Sequence, residues 1–136
     1  MPFSGPIEDR LAIRELYDTY GDASTRGDVD LFLSCWNEDG QWNTQIFSRT
    51  GKAEMREQWG LLWTGFDKVA FLGNVLSIEV DGDTASTRAI QREEILLKGG
   101  GIYRLAGLYS DQIVRRNGKW LFQRRDYSVL VEEAPA

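Results

Sequence analysis

The sequence contains no histidine, a single cysteine (Cys35) and three prolines in 136 residues. Without histidine the chain lacks the side chain that most often titrates near neutral pH and most often ligates zinc. Every Ser-His and Cys-His nucleophile system is excluded with it. Proton transfer has to use carboxylates, tyrosines, lysines or water. A lone cysteine forms no intrachain disulfide, so nothing calls for an oxidising compartment. No cation flanks Cys35 closely, and it reads as a buried, inert thiol. The possible metal ligands are reduced to carboxylates, whose spacing suggests no cage. No metal and no cofactor are expected. Positive charge is also in deficit: 16 Lys and Arg stand against 21 Asp and Glu, a net charge of −5. Such a balance argues against a nucleic-acid partner, and the pairs Arg115-Arg116 and Arg124-Arg125 are too short to reverse it. No apolar run reaches membrane-spanning length and no N-terminal stretch resembles a signal peptide, so a soluble, cytoplasmic chain with no membrane partner is expected.

Apolar residues make up 42% of the chain and charged residues 27%, as in an ordinary globular protein, and the length suits one domain over 1–136. Met1 to Gly5 and Glu132 to Ala136 read as tails. A first helix is expected from Pro6 to Thr25, with Ser4 or Gly5 as cap and Gly27 as terminator. Ile13, Leu16, Tyr17, Tyr20 and Ser24 share one of its faces. Asp28 caps a short second helix carrying Leu31, Phe32, Cys35 and Trp36. A short strand is placed around Gln41 to Phe47. Thr50 then caps a third helix, whose Met55, Trp59, Leu62 and Trp63 form an apolar stripe.

From Val69 onward the pattern is strand. Asp81-Gly82 and Asn117-Gly118 read as hairpin turns needing positive φ at both central residues, and Gly99-Gly100-Gly101 as a looser one. They divide the segment into Val69–Val80, Thr84–Leu97, Ile102–Arg116 and Trp120–Val131. Strands this long twist and coil, and such a meander buries one face on the helices.

The segments IEDRLAIRELYDTY, RGDVDLFLSCWNEDGQW, VDGDTA and YSDQIVRRNGKW, in that order, resemble the NTF2-like superfamily. The resemblance is closer to its SnoaL-like branch, which includes scytalone dehydratase, a bile-acid dehydratase and the lindane dehydrochlorinase. It runs from Ile7 to about Tyr127 and implies an α+β fold: a cone made by a strongly curved antiparallel sheet packed against three helices around one pocket. Members often use an aspartate near the end of the first helix and a histidine at the start of the first long strand. Those positions fall on Thr25 and Phe71, so the resemblance implies a pocket without the usual dyad. It also places Trp42 on the cavity wall, Arg125 inside the cone and Tyr20 on the inner helix face.

Glu93 is the carboxylate singled out by alternation. Ala85, Thr87, Ala89, Gln91 and Glu93 fall on one face of their strand, with small residues suited to a concave surface. A carboxylate there is desolvated and its pKa rises toward neutrality, which suits a base. The competing readings are a bulge that swaps the faces, or a cross-strand ion pair. Asp111 stands beside Tyr109 and reads as a second proton carrier or as half of a sheet ion pair. Asp126 points outward if Arg125 points inward, and Asp39 reads as turn chemistry. Tyr20 and Tyr17 offer phenol donors, or else fill the core. Trp59 and Trp63 line the pocket mouth or pack the core, while Trp36 and Trp120 read as core anchors.

The resulting expectation is a cofactor-independent lyase, dehydratase or isomerase acting on a hydrophobic, oxygenated aromatic molecule. Tyr20, Glu93, Arg125 and Asp111 are the candidate catalytic groups. Tyr17, Trp42, Trp59, Trp63, Phe71, Gln91 and Thr25 are the candidate substrate contacts. The alternatives are a non-catalytic binder of a small hydrophobic ligand and a structural oligomerisation module. A homodimer or homotrimer is expected, joined through the outward strand face with Ile90 and Val114.

Overall fold

The computed structural model describes residues 2–136. Its elements are β1 (Phe3–Ser4), α1 (Ile7–Arg26), α2 (Val29–Ser34), β2 (Trp36–Asn43), β3 (Ser48–Thr50), α3 (Lys52–Trp63), β4 (Phe66–Asp81), β5 (Thr84–Leu97), β6 (Ile102–Arg116) and β7 (Lys119–Glu133). One sheet runs in the order β1-β4-β5-β6-β7-β2-β3. The α+β class and the long meander β4 to β7 are as expected. The sheet is mixed rather than wholly antiparallel, because β1 joins β4 and β2 joins β7 in parallel. Helix α1 lies against both β4 and β7, which are three strands apart. Strands as long as β4 to β7 twist and coil, and the curved sheet carries α1 on its concave face.

Helix α1 buries Ile13, Leu16, Tyr20, Ala23 and Ser24, which is the 3.6-residue stripe read from the sequence except that Ala23 joins it and Tyr17 is half-buried. Pro6 occupies its cap position, no side chain caps it, and Gly27 ends it with φ 67°. Asp28 caps α2 by accepting from the Leu31 N–H at 3.0 Å. The second helix is shorter than expected. It stops at Ser34, and Phe122 N–H donates to the Cys35 carbonyl at 2.8 Å. That bond draws Trp36 into β2, opposite Phe122, so Trp36 anchors the core from a strand. The strand also ends at Asn43, because Thr44 folds the chain back: its hydroxyl accepts from Ile46 N–H and Phe47 N–H, both at 3.2 Å. Asp39 lies within β2 instead of a turn, in the stretch where the register with β7 shifts. Gly51, not Thr50, caps α3, while Glu54 reaches back to the Thr50 N–H at 3.1 Å.

The expected N-terminal tail contributes β1, and the C-terminal strand continues to Glu133. Asn117 and Gly118 both have positive φ, at 52° and 78°, as a type I′ turn requires. At the other tight hairpin Asp81 pairs with Thr84, so the loop is Gly82-Asp83 and only Gly82 has positive φ. Ile90 is exposed on the outer face, but Val114 is buried between its cross-strand neighbours Thr84 and Leu121. The core joins α1, α2 and α3 to the concave face through Phe32, Trp36, Met55, Trp59, Ile78 and Phe122. Among the described residues, no helix is long and apolar enough to cross a membrane.

Candidate functional site

On β5 the alternation is unbroken: Ala85, Thr87, Ala89 and Gln91 are buried and Glu93 is half-buried on the same face. On β7 it is broken. Trp120 and Phe122 are buried, then Arg125 and Tyr127. The parity changes at Gln123, an extra residue between the rungs Ile113–Phe122 and Gln112–Arg124. This β-bulge turns Arg125 inward and leaves Arg124 and Asp126 outward, where they pair at 2.8 Å.

Arg125 is fully buried and grips Asp111 on the neighbouring strand through two N–H···O bonds of 3.0 Å each. Tyr17 also donates to Asp111, and its hydroxyl lies 2.6 Å from Thr87 Oγ1. The guanidinium carbon sits 3.5 Å from the Tyr109 ring centre, 4.3 Å from Phe122 and 4.5 Å from Tyr20. Burial works against this charge, but Asp111 and the surrounding tyrosines outweigh it and hold the guanidinium protonated. Burial likewise pushes the Asp111 carboxyl up, and the two guanidinium N–H groups with the Tyr17 hydroxyl oppose it. The pair is internally neutral.

Two cavities lie above this layer. The larger, about 350 Å³, is walled by the Thr44–Phe47 turn, Gln91, Glu93, Tyr103, Tyr109 and Tyr127. The smaller, about 70 Å³, is bounded by Tyr20, Ser24, Trp59, Trp63, Val69 and Phe71. Trp42, Leu62, Phe66, Glu93 and Tyr109 belong to both, so Glu93 stands on the partition. The Gln91 amide donates to one oxygen of Glu93. Burial raises the Glu93 carboxyl to about 7, against the lowering effect of that bond. Burial also raises Tyr20 well above the ordinary phenol range, and Tyr109 in the same direction, so both remain protonated donors. The Cys35 thiol is raised to about 11 by burial and is inert at neutral pH.

Tyr20, Trp42, Trp59, Trp63, Phe71, Gln91 and Glu93 therefore all reach a cavity wall. Arg125 and Tyr17 border only a water-sized void of about 10 Å³ between α1 and the sheet. Asp111 lines none of the three, since both its oxygens are taken by Arg125 and Tyr17. Thr25 is exposed, and the adjacent Ser24 takes the buried helix face and the small chamber. Tyr109 and Tyr127 are among the wall residues that sequence reasoning left out. Two-residue spacing from Asp111 and from Arg125 would have found them. Among the described residues, no group of three or more His, Cys, Asp or Glu side chains is placed to hold a metal ion.

The family model of the SnoaL-like domain matches residues 6–126. The chain belongs to the SnoaL-like family. No curated protein matches the sequence. Among solved structures, a candidate aromatic ring hydroxylase from Novosphingobium aromaticivorans is 28% identical, with a TM-score of 0.88 over 94% of this chain and 93% of that one. A candidate scytalone dehydratase from the same organism is 19% identical, with a TM-score of 0.87 over 93% and 87% of the two chains. A type 2 hexachlorocyclohexane dehydrochlorinase, LinA, is 21% identical, with a TM-score of 0.87 over 96% and 90%. At these identities the last two share the fold with this SnoaL-like chain, and the site has to be read from its own residues.

Proposed function

We propose that this SnoaL-like protein is a cofactor-independent lyase or isomerase that moves a proton on an uncharged, oxygenated aromatic molecule, with Glu93 as the base. The observation carrying this reading is the position of Glu93: a carboxylate half ionised near pH 7, on the partition of two aromatic-walled cavities. A base of that strength both exists as the anion and accepts a carbon-bound proton at neutral pH. The larger cavity falls in the volume range of small-molecule sites. Tyr109 reaches both cavities, and Tyr20 the smaller one. Either phenol donates to a substrate oxygen as negative charge develops there. Arg125 lies behind both rings and lowers the energy of charge on their hydroxyl ends. Its part is electrostatic, exerted through Tyr20 and Tyr109, with Asp111 holding it in place. When Glu93 takes the proton, the C–H electron pair delocalises into the adjacent carbonyl. It then either expels a leaving group or is reprotonated at another carbon.

The probe is 2-acetylnaphthalene in deuterium oxide, with exchange of its methyl protons followed by NMR. The wild type is expected to incorporate deuterium, and Glu93→Gln to slow this by about 100-fold or more, with binding retained. Ligand bound tightly but recovered without deuterium would make the domain a binder and remove Glu93 from any catalytic role.

A further inference from the structure

Four buried polar atoms near the site keep no hydrogen-bond partner: Trp42 Nε1, Gln91 Oε1, Arg125 Nη1 and the Tyr127 hydroxyl. An unpaired buried polar atom costs about 1–3 kcal/mol, so two of complementary chemistry on the wall of one cavity gain by pairing. Gln91 Oε1 accepts only, and the Tyr127 hydroxyl donates.

The sheet register brings these two together. Gln91 lies directly opposite Gly107 in the β5–β6 ladder, on the concave face. Tyr127 lies on β7 opposite Tyr109, while Gly107 pairs with Val129, and the Tyr127 phenol reaches diagonally to Gly107 on β6. A side-chain carbon at Gly107 would collide with the Tyr127 ring and hydroxyl and with the Ser128 carbonyl oxygen. The Tyr127 oxygen therefore occupies the place of the missing Gly107 Cβ. Opposed residues on one sheet face have Cβ positions about 4.5–5.5 Å apart. The phenol oxygen and the Gln91 amide thus face the same stretch of the concave surface, and both residues line the large cavity beside Glu93.

We propose that Tyr127 is a positioning residue for Glu93: its hydroxyl donates to the Gln91 carbonyl oxygen, which locks the amide with its NH₂ on the Glu93 carboxylate. An amide has two orientations that differ in which end faces a neighbour. Turned the other way, Gln91 would present its oxygen to Glu93 and repel the anion. Tyr127 removes that orientation, because its hydroxyl would then face the NH₂ and its own proton would find no acceptor. One Glu93 oxygen is thereby held by Gln91 and the other is left for the substrate proton. Gly107 is the space that makes the arrangement possible.

This relay rests on Glu93 as the base, and its test is separable from that reading. The ¹³C carboxyl shift of Glu93 is titrated in the wild type, Tyr127→Phe, Gln91→Met and the double variant. Tyr127→Phe and Gln91→Met are each expected to move the Glu93 midpoint upward by about one pH unit, a tenfold change in the carboxylate-to-acid ratio, and the double variant no further. The acid limb of the deuterium-exchange profile should follow the same midpoints. An unmoved midpoint in Tyr127→Phe, or shifts of Tyr127→Phe and Gln91→Met that add in the double variant, would overturn the relay. A crystal structure of the wild type decides independently of any variant's folding. A hydroxyl-to-amide oxygen distance of at most about 3.2 Å supports it, and one beyond about 4 Å refutes it. Since the titration needs no turnover, exchange that proves independent of Glu93 would remove the base and leave the relay standing.

Discussion

Glu93→Gln makes a prediction about stability with a defined sign and pH window. The carboxyl is raised by burial from 4.5 to about 7. The folded protein therefore holds this proton more tightly than the unfolded chain does. Between those two pH values the native state binds more protons at this site, so the stability contributed by the site falls as pH rises. The penalty is absent below the unfolded value, grows through the window and is complete above about 7. With about 1.4 kcal/mol for each tenfold change, the gap corresponds to about 3 kcal/mol. Gln has nearly the same shape and no charge, so the variant escapes the penalty. Urea unfolding of wild type and variant at pH 4 and pH 8 measures it. Comparing the two proteins at each pH cancels the titration of every other group. The variant is expected to be about 3 kcal/mol the more stable at pH 8, with that advantage gone at pH 4. An unchanged difference between the two pH values would show an ordinary, solvated carboxyl, and the argument for a base at this position would fail with it.

Arg125→Met strands Asp111 in the core with Tyr17 as its remaining partner, and a loss of about 3–5 kcal/mol is expected in urea unfolding. Adding Asp111→Leu should recover part of it, since two apolar side chains leave no buried charge; a further full loss would contradict the ion-pair account. A third prediction concerns ligand charge: among the described residues the one buried cation is neutralised by Asp111, and the cavity keeps only Glu93 and the rim residue Glu132 as acidic groups. By tryptophan fluorescence at pH 8, 2-acetylnaphthalene should bind more tightly than 2-naphthoate, and the gap should narrow at pH 6 as Glu93 takes a proton; a preference for the naphthoate would show that Arg125 is available to ligands.

Local pattern was enough for the elements whose pairing is decided by near neighbours. The α1 stripe, the Asp28 cap, the Gly27 stop and the Asn117-Gly118 turn are short-range events, visible as residue types at fixed spacing. Strand β5 was readable for the same reason: an unbroken alternation needs no knowledge of its partners, and it put Gln91 and Glu93 on the concave face. Where non-local bonds compete with local preference, the reading failed. Trp36 looks helical beside Cys35, but a bond from Phe122 to the Cys35 carbonyl carries it into β2. Thr25 is nominated by the family resemblance alone, whereas helical periodicity already puts the adjacent Ser24 on the buried face, where the structure has it.

By itself, then, the sequence determined which chemistry is possible here. The absence of histidine leaves carboxylates and phenols as the proton carriers, and period-two spacing nominates Glu93 among them. The tertiary structure alone decided which of these groups share a site. The bulge at Gln123 inverts the parity of β7, so Arg125 and Tyr127 face the cone where strict alternation from Trp120 would have sent Arg124 and Asp126. Asp111 meets Arg125 and Gln91 meets Gly107 through ladder register, and the Tyr127 phenol reaches Gly107 from the neighbouring strand. Register is a property of paired strands, and no single strand's sequence contains it.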